Sequence, residues 1–257
     1  MNVLAMFDLK GEKAIVTGGG QGLGREMALA LAEAGADVAV VQRRVEVAEE
    51  TAAEIKKLGR DSFAMKVDVS TTEDIRNMVA AARDRFGKID ILINNAGIAH
   101  HVPAAELSEE DWDRMMDINL KGVFFGSQMV GHEMIKQRKG SIINIASMSG
   151  FIVNRPQLQT HYNTAKAGII MLTKTLAMEW AKYNIRVNAI APGYIKTPLL
   201  ARNLGPGKIG EEWVKLTPMG RLGEPFELKG LALFLASRAS SFITGTTIVI
   251  DGGYTCW

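Results

Sequence analysis

The chain has 257 residues, of which 47% are hydrophobic, so it is long enough to bury a sizeable core. Its 30 basic and 28 acidic residues give a net charge of +2, which argues against nucleic acid or an anionic membrane as a partner. The single cysteine excludes an intrachain disulfide, and the N-terminal segment lacks the pattern of a signal peptide, so we expect a cytoplasmic protein.

Short apolar segments alternate with longer segments of helical periodicity along the whole chain. In the first half, strands are predicted at 14–18, 37–42, 62–69 and 88–97, and helices at 25–35, 45–59, 71–87 and 108–140. In the second half, strands are predicted at 141–147, 185–193 and 246–253, and helices at 161–183, 208–215 and 225–236. Strands that alternate with helices of this length form a parallel sheet covered on both faces. These strands are apolar throughout, as strands buried on both sides are.

No linker or repeat divides the sequence. The pattern therefore predicts one α/β domain over residues 1–257, with a single doubly wound (Rossmann) parallel sheet and helices on both faces. Segment 194–224 is the one long departure from the alternation and is punctuated by Gly and Pro. In a doubly wound fold we expect such an insertion at the rim of the active site.

The first strand runs into the glycine-rich turn TGGGQGLG at 17–24. Gly18, Gly22 and Gly24 permit a tight turn, a close approach of the backbone to a diphosphate, and close packing of the following helix. The N-terminus of that helix directs free N–H groups at the anion. A turn in this context predicts a dinucleotide site rather than a merely flexible connection.

The spacing T-G-x-x-x-G-x-G resembles that of the short-chain dehydrogenase/reductase family, and N-N-A-G at 94–97 matches a second motif of that family. Y-x-x-x-K at 162–166 and P-G at 192–193 follow in the family's order, so the resemblance covers nearly the whole chain. It implies an NAD(P)-dependent oxidoreductase that acts on CH–OH groups. The cofactor contacts that the resemblance implies are Gly18, Gln21, Gly22, Leu23, Gly24, Asp68, Val69, Asn95, Ala96, Gly97, Tyr162, Lys166, Pro192, Gly193, Ile195 and Thr197.

The end of the second predicted strand indicates which ribose the site accepts. An acidic residue there would bind a 2′-hydroxyl and repel a 2′-phosphate, but the chain has Gln42, followed by Arg43 and Arg44. The planar fork of arginine suits phosphate, which favours NADP(H). NAD(H) remains possible if the two arginines only form a solvated loop.

Tyr162 and Lys166 are one helical turn apart, so their side chains can share a face. The reference pKa of a phenol is about 10, and a neighbouring ammonium together with a positively charged nicotinamide would lower it. The phenol could then exchange a proton with a carbinol oxygen while a hydride moves to or from the cofactor. On its own the pair is common on helix surfaces, but here it follows the two preceding motifs in the right order.

A serine is expected to orient the substrate oxygen, and two candidates are present. Ser147 ends the fifth predicted strand and begins an S-x-x-G turn like that of the family, whereas Ser149 has the family's usual distance of 13 residues before Tyr162. We favour Ser147 and leave Ser149 open. Asn119 resembles the family's catalytic asparagine, which holds a water that links the lysine to solvent; the alternative is an amide satisfied by nearby backbone.

The loop after Ser147 resembles that of family members that act on sugars and polyols, such as mannitol, sorbitol and galactitol dehydrogenases or sorbose reductases. Its side chains Asn154 and Gln157, with Ser149, could bind substrate hydroxyls, or the two amides could simply close the loop. A 3-oxoacyl-[acyl-carrier-protein] reductase is the alternative enzyme, and a non-catalytic NADP-binding regulator is the alternative class. No cysteine or carboxylate spacing suggests a metal.

The family commonly forms tetramers, so we expect a homotetramer. The tail 249–257 is unusually aromatic for a chain end, and we expect it to pack on a neighbouring subunit.

Overall fold

A computed structural model describes residues 2–256 of the chain, and at position 202 it describes the backbone alone. The strands are β1 (Lys13–Thr17), β2 (Asp37–Gln42), β3 (Ser62–Lys66), β4 (Ile91–Asn94), β5 (Gly140–Ile145), β6 (Ile185–Pro192) and β7 (Thr247–Ile250). All seven are parallel and pair in the order β3-β2-β1-β4-β5-β6-β7. The order reverses direction between β1 and β4, which is where a doubly wound sheet opens a ligand crevice.

Helices cover both faces of this sheet. They are α1 (Gly22–Glu33), α2 (Val45–Lys57), α3 (Thr72–Phe86), α4 (Glu109–Met116), α5 (Gly122–Gln137), α6 (Thr160–Trp180), α7 (Gly210–Leu216) and α8 (Lys229–Ala236). One apolar core lies under α1, α2 and α8, and a second lies under α3, α5 and α6. The predicted fold class, a doubly wound parallel sheet with helices on both faces, is therefore confirmed. None of the helices in the described chain is long and apolar enough to cross a bilayer.

The predicted helix over 108–140 is interrupted. Ser108 caps α4 by accepting the N–H of Asp111, and the helix then widens into a π-helical turn at Asp117–Lys121 before α5 begins. The side chain of Asn119, within this turn, bonds to the backbone of Ile98 instead of facing solvent. The predicted stretch is therefore helical from Glu109 to Gln137, but its periodicity gave no sign of the π-helical turn.

Three predicted strands end three residues earlier than expected, and one of them is β7, which stops at Ile250. β3 stops at Lys66 and β4 at Asn94, so residues 67–69 and 95–97 leave the sheet at its carboxyl edge. Most of the residues that follow β3 and β4, namely Val67, Val69, Ala96 and Gly97, are apolar or small like the strand residues, which is why the pattern did not separate them. They form part of the wall of the cleft described below.

The C-terminal tail turns back onto its own chain. Tyr254 is 6% exposed, and its ring lies edge-on to that of Tyr194, with 5.2 Å between the centroids. For Tyr254 the expectation of packing on a neighbouring subunit is wrong, because the rim of this chain already buries the ring. Trp257, the last residue of the predicted tail, lies outside the described residues.

Candidate active site

A cleft of about 690 Å³ opens at the carboxyl edge of the sheet, where the loops after β1, β2, β4, β5 and β6 converge. Every predicted site residue lines this cleft except Gly24, Asn119 and Asn154. Residues from seven separate segments, spread over more than 170 positions of the sequence, therefore meet in one space.

The glycine-rich turn has a backbone that only glycine adopts without strain. Gly18 and Gly22 have φ values of 63° and 55°, in the left-handed region. A Cβ on Gly24 would lie 2.2 Å from the carbonyl oxygen of Gly18, so this glycine permits helix–turn packing and does not itself face the cleft. Because the first N–H groups of α1 have no partners within the helix, the turn fits the diphosphate of a dinucleotide.

The end of β4 is fastened to the same turn. The Asn95 side chain donates to the carbonyl oxygens of Thr17 and Gly18, at 3.0 and 3.1 Å. In return, the Thr17 hydroxyl accepts the backbone N–H groups of Asn95 and Ala96. These four bonds set the distance between the loops after β1 and β4, which form opposite sides of the cofactor end of the cleft.

The predicted ribose end of the cleft holds a neutral amide and two cations. Gln42 accepts the N–H of Gly20 at 2.9 Å, so its amide braces the glycine turn. Arg44 donates to the side chain of Gln21 at 3.2 Å, and Arg43 lines the cleft. The pKa of Asp68 lies below its ordinary value, mainly because Ser70 donates to the carboxylate and also because Arg43 is nearby, although burial opposes the shift. No acidic side chain stands at position 42 to repel a phosphate.

Tyr162 and Lys166 face the same cleft from α6. The Lys166 ammonium donates to the carbonyl of Ile145 at 2.8 Å and lies 5.6 Å from the centre of the Tyr162 ring. Burial lowers the pKa of Lys166 to about 8. Burial also raises the pKa of Tyr162, and a hydrogen bond with Ser147 opposes this rise. In the protein alone, desolvation therefore outweighs the acidifying effect expected of the neighbouring ammonium.

The two candidate serines lie side by side but have different partners. Ser147 shares a hydrogen bond with the Tyr162 phenol, and its Oγ lies 3.1 Å from that of Ser149. Ser149 receives a further bond from the amide of Gln159 at 3.3 Å. The geometry thus places Ser147 next to the phenol and Ser149 one step further into the substrate end of the cleft.

Asn119 is fully buried behind the cleft. Its amide exchanges two hydrogen bonds of 2.8 Å with the backbone N–H and C=O of Ile98, and it also contacts the sulfur of Met115. These contacts correspond to the alternative left open above, an amide satisfied by nearby backbone. What the side chain fixes is the loop after β4, which forms one wall of the substrate end.

The rim opposite is held by a buried polar network. Gln157 donates to the Tyr194 hydroxyl at 2.6 Å and accepts the indole N–H of Trp213 at 3.0 Å, while Asn154 donates to the same hydroxyl at 3.1 Å. The rings of Tyr194 and Trp213 stack at 4.2 Å. Both amides therefore close the loop onto the insertion, and Asn154, predicted to contact substrate, does not reach the cleft.

The sequence did not single out three residues of the cleft wall, namely Tyr194, Trp213 and Gln159. Tyr194 sits inside the predicted P-G segment and Trp213 inside the predicted insertion, so their neighbourhoods were identified but not their side chains. For Tyr194 and Trp213 the available signal was the presence of aromatic residues within a Gly- and Pro-rich segment, because a solvated loop has no reason to carry them.

Known proteins resemble this chain over its whole length. The family described as enoyl-(acyl carrier protein) reductase matches residues 18–255. A galactitol 2-dehydrogenase of Rhizobium johnstonii is 44% identical, with 100% of both chains covered. An NAD-dependent glycerol dehydrogenase of Listeria innocua is 43% identical over 97% of this chain and 96% of its own. The crystal structure of a gluconate 5-dehydrogenase from Burkholderia cenocepacia J2315, in complex with NADP and tartrate, is 37% identical with a TM-score of 0.94, and 100% of both chains is covered.

Proposed function

The chain belongs to the short-chain dehydrogenase/reductase family, as an oxidoreductase of secondary alcohols and ketones, and we propose that it acts on sugars or polyols with NADP(H) and uses Tyr162 as its acid/base group. The observation that carries the proposal is the meeting of Tyr162, Lys166 and Ser147 in one cleft beside the glycine-rich turn. We further propose that residues 1–257 act as one domain with the rim insertion at about 194–224, that it is cytoplasmic, and that it is a homotetramer.

The reaction needs a hydride and a proton, and the bound nicotinamide supplies or accepts the hydride. In the reductive direction, the substrate carbonyl carbon gains the hydride, its oxygen gains the proton of the Tyr162 phenol, and solvent then reprotonates the phenolate. Ser147, already bonded to the phenol, is placed to donate to the same substrate oxygen. The ammonium of Lys166 stabilises the phenolate, and a cation in the bound cofactor would reinforce it against the effect of burial.

Support for NADP(H) comes from the charge at the ribose end. Arg43 and Arg44 are the cations there, and Gln42 contributes no negative charge because its amide braces Gly20. A 2′-phosphate would gain charge-assisted hydrogen bonds from either guanidinium. NAD(H) remains the alternative, since the glycerol dehydrogenase relative is named as NAD-dependent.

Support for a polyhydroxylated substrate comes from the named relatives and from the polar lining of the substrate end. Two relatives are named for polyols, and the gluconate 5-dehydrogenase structure contains tartrate. The competing proposal, an acyl-carrier-protein reductase, is favoured by the description of the matching family. Ser149, Gln157 and Gln159 offer hydrogen-bonding groups at this end of the cleft that an acyl chain would not use, although apolar side chains such as Met148 and Leu200 also line it.

A cofactor and substrate screen tests the proposal. The purified enzyme is offered NADPH or NADH with fructose, sorbose or an acetoacetyl thioester, and nicotinamide absorbance is followed. We expect oxidation of NADPH in preference to NADH with at least one ketose, and little with the thioester. A preference for the thioester would support the acyl-reductase alternative, and a preference for NADH would reject the cofactor assignment.

The homotetramer proposal has separate support from exposed apolar surface. Met171 and Met178 on α6 are 61% and 73% exposed, and Phe242, before β7, is fully exposed. Covering such side chains favours association. Sedimentation of the purified protein is expected to give the mass of four chains, and a monomeric mass would reject the proposal.

A further inference from the structure

Four polar side chains are hydrogen-bonded to one another in the apolar interior beneath the cleft. They are Asn94 on β4, Ser127 on α5, Asn144 on β5 and Thr173 on α6, and each is at most 3% exposed. The amide nitrogen of Asn94 donates to Ser127 Oγ and to Asn144 Oδ1, both at 2.9 Å. The amide nitrogen of Asn144 donates to Thr173 Oγ1 at 3.0 Å. This buried polar bridge therefore joins two strands to two helices.

The buried polar bridge stands where apolar side chains would also pack. Ile142 on β5, and Ile169 and Leu176 on α6, are its core neighbours and are at most 4% exposed. Valine has nearly the shape of threonine, and a buried polar group gains little or no stability over an apolar group of the same shape. A buried network of hydrogen bonds does, however, hold its elements in one arrangement.

On the strand side, the sheet fixes the position of the buried polar bridge. Asn94 and Asn144 are directly paired positions of the parallel strands β4 and β5. Ser147 follows Asn144 along β5, and between them the N–H of Ala146 still bonds to β6 at 2.8 Å. The distance between Asn144 and Ser147 is therefore set by the hydrogen bonds of the sheet.

On the helix side, Thr173 shares a face of α6 with the proposed acid/base group. It follows Lys166 by about two helical turns and Tyr162 by about three, so the three side chains point to the same side. Lys166 also reaches β5, at the carbonyl of Ile145, but through a long side chain that adapts to small shifts. The short side chain of Thr173 ties the backbone of the helix itself to the strand.

We propose that Thr173 is a positioning residue, whose bond to Asn144 fixes how far α6 lies along β5. This placement sets the separation between the Tyr162 phenol and Ser147. The inference rests on the proposed function, because it concerns how the acid/base group is held. A shift of about 1 Å in a reacting group lowers a rate by about 100-fold, so a helix that slides on β5 loses more activity than NADPH affinity.

Thr173→Val and Thr173→Ser test the proposal in single turnovers. Enzyme saturated with NADPH is mixed with saturating fructose or sorbose, whichever turns over faster in the screen, and nicotinamide absorbance is followed. Thr173→Val removes the oxygen and keeps the shape, so the rate should fall by about tenfold or more while Kd for NADPH stays within about twofold. Thr173→Ser keeps the oxygen and should retain at least about half of the wild-type rate.

Ser127→Ala is the matched control within the buried polar bridge. It also removes a fully buried hydroxyl, but on α5, and Asn94 keeps its bond to Asn144. Its urea denaturation midpoint should fall about as far as that of Thr173→Val, while its single-turnover rate stays within about twofold of wild type. A bridge that only stabilises the fold would lower both midpoints and leave both rates unchanged.

A Thr173→Val rate within about threefold of wild type would overturn the inference, as would a Ser127→Ala rate that falls equally far. If the valine variant does not fold, Thr173→Cys takes its place, because a thiol is a weak acceptor. Its rate should lie about threefold or more below that of Thr173→Ser, and equal rates would reject the inference. Each of these results leaves the proposed function intact. Absence of wild-type turnover with every compound of the screen would instead reject the proposed function, and this inference with it.

Discussion

The cofactor end and the substrate end of the cleft are built from different kinds of contact. At the cofactor end, backbone sets the shape: Gly24 packs on Gly18 with no room for a Cβ, and the loops after β1 and β4 are tied by bonds to main-chain atoms. At the substrate end, side chains set the shape through the network of Gln157, Tyr194 and Trp213. The first arrangement tolerates almost no substitution, whereas the second can be varied one side chain at a time, which suits a scaffold that keeps its cofactor and changes its substrate.

Gly24→Ala should have the largest effect on cofactor binding. The new methyl group would lie 2.2 Å from a backbone oxygen, so the turn must move, and a displacement of that size is expected to weaken NADPH binding by about 100-fold or more. Fluorescence titration of NADPH measures the loss. Gly230→Ala is the matched control, because nothing lies within 4 Å of a Cβ at that position in α8. If Gly24→Ala bound NADPH as tightly as the control does, the backbone of the turn would not determine the shape of the NADPH site.

Trp213→Phe tests the substrate end of the cleft. The indole is fully buried, and its loss leaves a cavity and an unpaired Gln157 oxygen, so we expect the free energy of unfolding to fall by about 2–4 kcal/mol. The Michaelis constant for substrate should rise while the dissociation constant for NADPH stays the same, because Trp213 does not shape the glycine-rich turn at the cofactor end. Urea denaturation and steady-state kinetics check both statements.

Trp112→Phe is the control for that experiment. Trp112 lies half-buried on α4 and does not line the cleft, so its replacement should have a smaller effect on stability and none on the Michaelis constant. A Trp213→Phe enzyme that lost NADPH affinity as strongly as substrate affinity would show that the two ends are not independent.

Lys166 lies where the cofactor end and the substrate end meet. The effect of its titration on stability should be smaller than the effects of Gly24→Ala and Trp213→Phe. Burial puts its folded-state pKa at about 8, below the ordinary 10.5. Between these values the unfolded chain binds more protons than the folded one, so this residue makes stability rise with pH over that window and makes no further difference below it. Urea denaturation measures the free energy of unfolding of wild type and of Lys166→Met. Between pH 7 and about pH 9.5, we expect this free energy to rise in wild type relative to the variant by about 2 kcal/mol or less. Parallel stability curves would show that the ammonium is not desolvated.

The same difference between the two ends explains which site residues could be predicted from the sequence. The turn around Gly18 and the pair Tyr162–Lys166 are local patterns, so their spacing predicted which residues line the cleft. The rim depends on contacts across the chain: Gln157 bonds to Tyr194 and Trp213, which are 37 and 56 residues away. Nothing in a local pattern specifies such partners. For the same reason Asn154 was predicted to contact substrate, although Tyr194 already occupies its amide.

We have proposed that the Tyr162 phenol supplies and receives the proton of the reaction, and the variant Tyr162→Phe removes only that hydroxyl. Ketone turnover and NADPH binding are measured on this variant and on Tyr183→Phe, a control outside the cleft. We expect turnover to fall by about 1,000-fold in Tyr162→Phe alone, while its NADPH affinity stays within a few-fold of wild type. A Tyr162→Phe enzyme that binds NADPH and keeps more than about a tenth of the wild-type turnover would contradict this proposal.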